Sequence, residues 1–401
     1  MVKRAASLAK PKSYRALPTS IWALGVGSMF MDISSELVHS LLPIFMVSVL
    51  GASVATVGLI EGIAEATASI TKIFSGVISD YVGKRKPLVM LGYGLGAITK
   101  PVFPLATSIG WVFSARFIDR IGKGIRGAPR DALVADITPP EMRGAAYGLR
   151  QSLDSIGAFI GPLLAVLLMA WFANKIQAVL WVAVIPAFIA VGFLAIAVRE
   201  PEHEQSGAAR RVPLSMADAR RLPLRYWLIV LLGAVFTMGR FSEAFLVLRA
   251  QNVGLAIGYV PVVMVVMNVV YASAAFPAGI AADHFSRRML LVAGLAMLVA
   301  ADLVLAAATA PMQVLVGAAL WGLHMGCTQG LLSKLVADAA PPELRGTAFG
   351  VFNLVGGAAL LLASVIAGIL WSAIGAPATF IAGASFAALA AFGLLIHRQQ
   401  A

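Results

Sequence analysis

Apolar residues run along this chain in blocks of about twenty or more, broken by short polar stretches. Neither strand alternation nor the narrow stripe of an amphipathic surface helix persists over such blocks. Each block is long enough for a helix to cross a hydrocarbon layer of about 30 Å. Twelve segments can be drawn. The first six lie at about 20–50, 54–80, 87–107, 110–133, 143–172 and 176–198; the others lie at about 224–249, 255–281, 288–309, 311–337, 345–372 and 375–396. The one long polar interruption, Arg199 to Arg225, lacks apolar periodicity and reads as a linker. The pattern predicts an all-α membrane protein: one six-helix bundle over 1–198, a linker over 199–225 and a second bundle over 226–401. A β-barrel is excluded, because its strands would be alternating segments of about ten residues.

Composition removes the soluble alternatives. The chain has 401 residues, 60% hydrophobic and 12% charged, with mean hydropathy +0.88. Soluble domains carry about 25% charged residues. Cys327 is the sole cysteine, so no intrachain disulfide can form. The basic N-terminus is not followed by a cleavage-like site, so the first segment is expected to be a retained helix. A net charge of +12 could suggest nucleic acid, but cationic cytoplasmic loops account for it at less cost, and no nucleic-acid partner is expected. Lys84-Arg85-Lys86, Arg130, Arg143, the Arg210–Arg225 linker, Arg287-Arg288, Arg345 and Arg398 all fall on one side of the predicted topology. That side is assigned to the cytoplasm, with both termini, and the chain to a bacterial inner membrane. GYGLGA and GKGIRG are not dinucleotide loops, since no strand precedes them, and no metal, nucleophile or cofactor motif appears. No enzyme activity and no cofactor are expected.

The chain also repeats itself. LVADITPPEMRGAAYG from Leu133 and LVADAAPPELRGTAFG from Leu335 match at eleven of sixteen positions. GVISDYVGKRK from Gly76 has a second copy, GIAADHFSRRM, from Gly279. Two halves with the same punctuation imply a duplicated, pseudo-symmetric architecture of the kind used by transporters.

The spacing Gly76-xxx-Asp80-xx-Gly83-Lys84-Arg85-Lys86, with its copy Gly279-xxx-Asp283-xx-Ser286-Arg287-Arg288, resembles the cytoplasmic signature of the major facilitator superfamily. The resemblance implies twelve spans in two pseudo-symmetric bundles, alternating access, a small-molecule substrate and a monomer. A cytoplasmic gate is expected from Gly76, Asp80, Gly83, Arg85, Asp131, Arg143, Asp283, Arg287 and Arg345, with Arg85 pairing a carboxylate such as Asp131 or Asp136. Gly148, Gly157, Gly161 and Pro162 in the fifth span resemble the pattern of the superfamily's proton-driven exporters, although Ala165 and Val166 stand where glycines usually follow. Arg120-xx-Lys123-Gly124 resembles part of a third signature, whose arginine is associated with proton movement.

Charge within a spanning segment costs about 2.5–3.5 kcal/mol per residue even on insertion scales, so each such group is a functional candidate. Asp32, Glu36 and His39 share one helical face, as do Glu61, Glu65 and Lys72. Arg116, Asp119, Arg120 and Lys123 form a stripe on the fourth span. Proton coupling is assigned to Asp32, Glu36, Glu61, Glu65, Arg120 and Asp154. His39, Lys100, Arg116, Arg150, Arg240, Glu243 and His324 are assigned to a substrate cavity. Asp32 and Glu36 are the leading proton or substrate carboxylates, with Arg120 as the cation that modulates them. The other reading of Asp119 is a static pair with Arg116 or Arg120. Lys72, Arg126 and Arg130 are expected to snorkel to the surface, and Met264 and Met267 to pack or face lipid. Proton-coupled export of a small organic solute is the leading function. The alternatives are a transition metal or metal chelate held by Asp32, Glu36, His39, Glu61 and Glu65, or import or uniport of an anion.

Overall fold

The computed structural model describes residues 17–200, 216–328, 331–341 and 344–396. The basic N-terminal segment, most of the linker and Arg398 lie outside these, and the side chains of Asp80, Asp283 and Arg287 are likewise not described. The helices stack into twelve rods. In the first half these are α1 (Thr19–Val49), α2 (Val54–Val82), α3 (Lys86–Leu105), α4 (Ile109–Ile137), α5 (Arg143–Trp171) and α6 (Ile176–Ala197). In the second they are α7 (Leu224–Met238 and Ala244–Asn252), α8 (Val262–His284), α9 (Arg287–Ala307), α10 (Pro311–Thr328 and Leu331–Ala339), α11 (Arg345–Ala373) and α12 (Ala376–Ile396).

Nine helices among the described residues are long and apolar enough to cross a membrane by themselves. Two exceptions have physical causes: helix α4 is too charged, and α7 is broken over 239–243. The third, α10, is described in two stretches, on either side of 329–330. The break in α7 departs from the single span expected over 224–249. Backbone freed inside a bilayer must find other partners. Here the Ser242 amide donates to Ser364 Oγ on α11 (3.2 Å), and the Ala244 amide donates to Ser242 Oγ (3.3 Å). Span boundaries are local decisions elsewhere. Ser53 caps α2 by accepting from the Thr56 amide, and Ser286 caps α9 by accepting from the Met289 amide. Gly83 ends α2 at φ 68°, a conformation glycine adopts without strain.

The face carrying the Gly83 and Ser286 turns is here called the basic face. The halves meet toward the opposite face. Gln251 Nε2 donates to Ser48 Oγ (2.7 Å) and the Ala55 amide to Ser372 Oγ (3.1 Å). Nearer the middle, Asn268 Nδ2 on α8 donates to the Ala158 carbonyl on α5 (3.0 Å). Toward the basic face α4 packs on α1, α2, α3 and α5, whereas α10 packs on α7, α8, α9 and α11. Each therefore stays with its own half. Lys123, fourteen residues into α4, is exposed, and the space between α4 and α10 is here called the gap. Met264 and Met267 are buried packing residues, not lipid contacts.

Candidate functional site

The first half buries an ion network around α4. Arg116 Nη2 lies 2.7 Å from Glu61 Oε2 on α2, with both side chains almost wholly enclosed. His39 on α1 bridges two acids: its Nδ1 is 3.6 Å from Glu36 and its Nε2 3.6 Å from Glu61. One turn toward the basic face, Arg120 pairs with Glu65 (3.1 Å). Lys100 stands where α3 bends before Pro101, and its Nζ reaches Asp119 (2.9 Å) and Ser35 Oγ (3.1 Å). Asp119 thus pairs with a lysine on another helix, and not with Arg116 or Arg120. Arg120 meets Glu65 rather than Asp32 or Glu36.

A second cluster lies closer to the basic face. Arg150 and Asp154 pair at 2.7 Å across one turn of α5, and Asp131 is 3.7 Å from both Arg150 and Arg130. Arg130 also donates to Ser28 Oγ (2.6 Å) and approaches Asp154 at 3.9 Å. The Arg126 guanidinium sits 4.5 Å from the centre of the Tyr93 ring. The snorkelling expectation fails for these two arginines: Tyr93 and Ser28 provide polar and aromatic contacts inside the bundle. Lys72 is exposed.

At the basic face Arg85 pairs with Asp136, not Asp131, and also donates to Ser79 Oγ (3.1 Å). The backbone amide of Arg85 donates to Glu200, just after α6, so this turn is tied to both α4 and α6. Arg143 donates to the Ala135 carbonyl (3.2 Å), and Arg345 is exposed at the start of α11. Gly76 packs toward Ala128 on α4.

The glycines of α5 position the acids of α1. A Cβ at Gly157 would stand 2.6 Å from the Met29 carbonyl oxygen and 3.0 Å from Asp32 Cβ. One at Gly161 would meet the Ile33 carbonyl oxygen at 2.8 Å and Glu36 Cβ at 2.9 Å. Backbone-to-backbone approach at these turns requires glycine. Gly148 has open space around it and makes no such contact. Pro162 follows on the same buried face.

Asp32, Lys123, Arg240 and Glu243 make no hydrogen bond or ion pair through their side chains with described residues, and each is at least partly exposed. Asp32 and Lys123 belong to the first half, Arg240 and Glu243 to the second. Lys123 is in electrostatic range of Asp32, and Glu243 is in range of Glu36, His39 and Arg240. Arg240 and Glu243 reach this position because they flank the break in α7. Sequence reasoning did not assign Lys123 to the cavity, although its position one turn beyond Arg120 was the available signal. His324 is fully buried against the Phe236 ring, with Nδ1 2.8 Å from the Gly294 carbonyl oxygen. No group of three or more His, Cys, Asp or Glu among the described residues is arranged to hold a metal ion. His39, the best nitrogen ligand, has both nitrogens facing carboxylates.

The profile of the Major Facilitator Superfamily matches residues 24–267 and 242–400. The chain belongs to this superfamily. An uncharacterized MFS-type transporter of Methanocaldococcus jannaschii is 30% identical over 390 residues, covering 95% of each chain. The multidrug resistance protein MdtH of Edwardsiella ictaluri is 32% identical over 146 residues, 36% of each chain. The crystal structure of the nucleoside transporter NupG superposes with a TM-score of 0.78 at 13% identity, over 94% of this chain and 98% of that one. The fold is therefore the superfamily's twelve-helix fold, and the protein is a multi-pass membrane transporter.

Proposed function

We propose that this facilitator is a secondary active transporter that exports a small organic solute in exchange for protons. The observation that carries the reading is the two-layer arrangement of charge. An inner layer on α2, α3 and α4 is committed to ion pairs, and an outer layer at the gap (Asp32, Lys123, Arg240 and Glu243) is uncommitted. Uncommitted charges at a cavity are available to a proton or a solute. A carboxylate such as Asp32 binds a proton when its surroundings are dry and releases it when a cation approaches. Lys123 and Arg120 supply cations on the neighbouring helix.

The direction of export rests on the exporter-like glycines, whose contacts fix the α1 turns bearing Asp32 and Glu36. The partial similarity to a multidrug resistance protein supports the same direction. The basic face is read as cytoplasmic, as for a bacterial inner-membrane protein, so the conformation described is open inward. We further propose that Arg85–Asp136 and the Glu200 tie are part of the gate that closes this side, that the bundles divide at the linker, and that the protein works as a monomer.

The test begins with a thermal-shift screen of solutes on purified protein, because a ligand that binds the folded state raises its melting point. Hits are then followed in proteoliposomes with an imposed pH gradient. Solute movement opposite to protons is expected, abolished by a protonophore. Asp32→Asn is expected to lose that response while keeping solute-for-solute exchange. Normal proton-driven transport by Asp32→Asn sinks the assignment of Asp32. Transport indifferent to the protonophore in the wild type favours a second reading, uniport or import of an anion, which the unpaired Lys123 and Arg240 would serve.

A further inference from the structure

Asp302 is an acid for which the charge network has no use. It lies five residues before the end of α9, wholly buried, and neither carboxyl oxygen has a hydrogen-bond partner among the described residues. Its setting is tight and apolar. A Cβ at Gly383 on α12 would stand 2.6 Å from Asp302 Oδ2 and 2.8 Å from the Phe241 ring, so the carboxyl and the edge of that ring converge on the α12 backbone at Gly383. Phe241 belongs to the break in α7 and packs against Trp321, Phe380 and Phe245, with ring centres 5.3–5.6 Å apart. A void of about 10 Å³, room for one water, adjoins Phe241 and Gly383.

Asp302 has no ion pair with a described residue: Arg249, buried on the second piece of α7, is taken up by the Leu305, Ala306 and Ala308 carbonyls at the end of α9 (2.7–3.1 Å) and by Asn252. Thr379 on α12 donates its hydroxyl to the Ala367 carbonyl. His324 on α10 is held at Gly294, eight residues or about 12 Å along α9. Arg240 and Glu243 flank Phe241 in the chain but point to the gap between the halves. An ionised carboxylate without partners in such a place is strongly disfavoured, and the group instead keeps its proton. Acids inside a membrane bundle are costly to keep and mark function by default.

We infer that Asp302 is a second proton-binding site, in the half opposite the ion network, gated by the break in α7. With Phe241 seated, the carboxyl keeps its proton. When the 239–243 segment moves, water and Arg240 reach the carboxyl. The O–H bond then breaks, the proton passes to water in the cavity between the halves, and the electron pair stays on a carboxylate now facing Arg240. The site needs no substrate to operate, so it stands or falls separately from the assignment of Asp32.

The experiment is infrared spectroscopy of the purified full-length protein, following the carboxylic-acid C=O stretch as pH is raised from mildly acidic to mildly alkaline. Ser48→Cys and Gln251→Cys, in a Cys327→Ala background, allow a short bis-maleimide to tether the face that is closed here. A band absent from Asp302→Asn is expected. It should persist across the range in tethered protein and lose amplitude reversibly in untethered protein. A band that survives in Asp302→Asn overturns the inference, as does the same pH response with and without the tether. If Asp302→Asn does not fold, Phe241→Ala carries the test. With the ring gone, the band should titrate even in tethered protein, and failure to do so overturns the gating.

Discussion

Removing Arg116 tests whether the inner charge layer is a closed, desolvated unit. At 2.7 Å from Glu61, with side chains 2% and 0% exposed, the pair attracts by about 6 kcal/mol at an effective dielectric constant near 20. Desolvation costs several kcal/mol per ion, so the net contribution of the intact pair is small. Breaking it is different. Arg116→Met leaves Glu61 with His39 at 3.6 Å and an Oε1 atom that already has no partner. The expected loss is about 3–5 kcal/mol, the usual result of stranding one buried charge. Glu61→Met should cost a similar amount by stranding Arg116. The double variant should return to within about 2 kcal/mol of wild type, because an apolar pair of similar volume replaces the ions.

Equilibrium unfolding in mixed micelles measures all four corners of this cycle. The Arg116→Met variant also makes a signed prediction about pH. Its stranded Glu61 is relieved by protonation, so the stability deficit should shrink as pH falls and grow as pH rises. Glu61→Met has no acid to protonate and should lack that response. A loss below about 1 kcal/mol in Arg116→Met would mean that the pair behaves like a solvated surface bridge. Water from the gap would then reach α2, and the division into committed and uncommitted layers would be wrong. A double variant as unstable as the sum of the singles would refute the claim that the two residues act mainly on each other.

Two further outcomes follow from the packing. Gly161→Val forces α1 away from α5 at Glu36 and should lower stability by about 1–3 kcal/mol in thermal unfolding, whereas Gly148→Ala, with open space around it, should change nothing measurable. Lys123→Cys should react with a membrane-impermeant maleimide added at the basic face and not at the opposite face; equal labelling from both sides would contradict a gap that opens one way.

The helices were legible because their signal is local and repeated: most spans are apolar over about twenty residues, and lipid leaves the backbone no other way to satisfy itself. The break in α7 was not legible. Gly239 and Ser242 lie in an apolar run that a continuous helix tolerates, and what stabilises the break is Ser364, far away in sequence. The charges show the same division. Helical spacing placed Arg116, Asp119, Arg120 and Lys123 on one stripe, and they do share it. Their partners come from other helices: Glu61 and Glu65 from α2, and Lys100 from α3. Spacing along one helix made Asp119–Arg116 the natural guess, and it could not register that the bend before Pro101 aims Lys100 inward. Tyr93 is similar, an aromatic among glycines that gave no hint of standing under Arg126.

The repeat makes the two halves look equivalent, but their buried charges obey different rules. In the first half Lys100, Arg116, Arg120 and Arg150 are matched by carboxylates on α2, α4 and α5. Such a network holds each of these carboxylates against a cation at 3.1 Å or less, so losing that cation strands the acid. A proton can enter it by replacing a cation that moves away. The second half has no such pairing at Asp302, whose carboxyl oxygens meet no hydrogen-bond partner among the described residues. There, charge can appear only if the surroundings change, through entry of water or movement of Arg240. Under the proposed proton coupling, uptake in the first half would follow which ion pairs exist, and in the second whether Phe241 is in place. A conformational cycle that moves the break in α7 would act on both at once, since Phe241 and Asp302 meet at Gly383 while Glu243 lies in electrostatic range of Glu36 and His39.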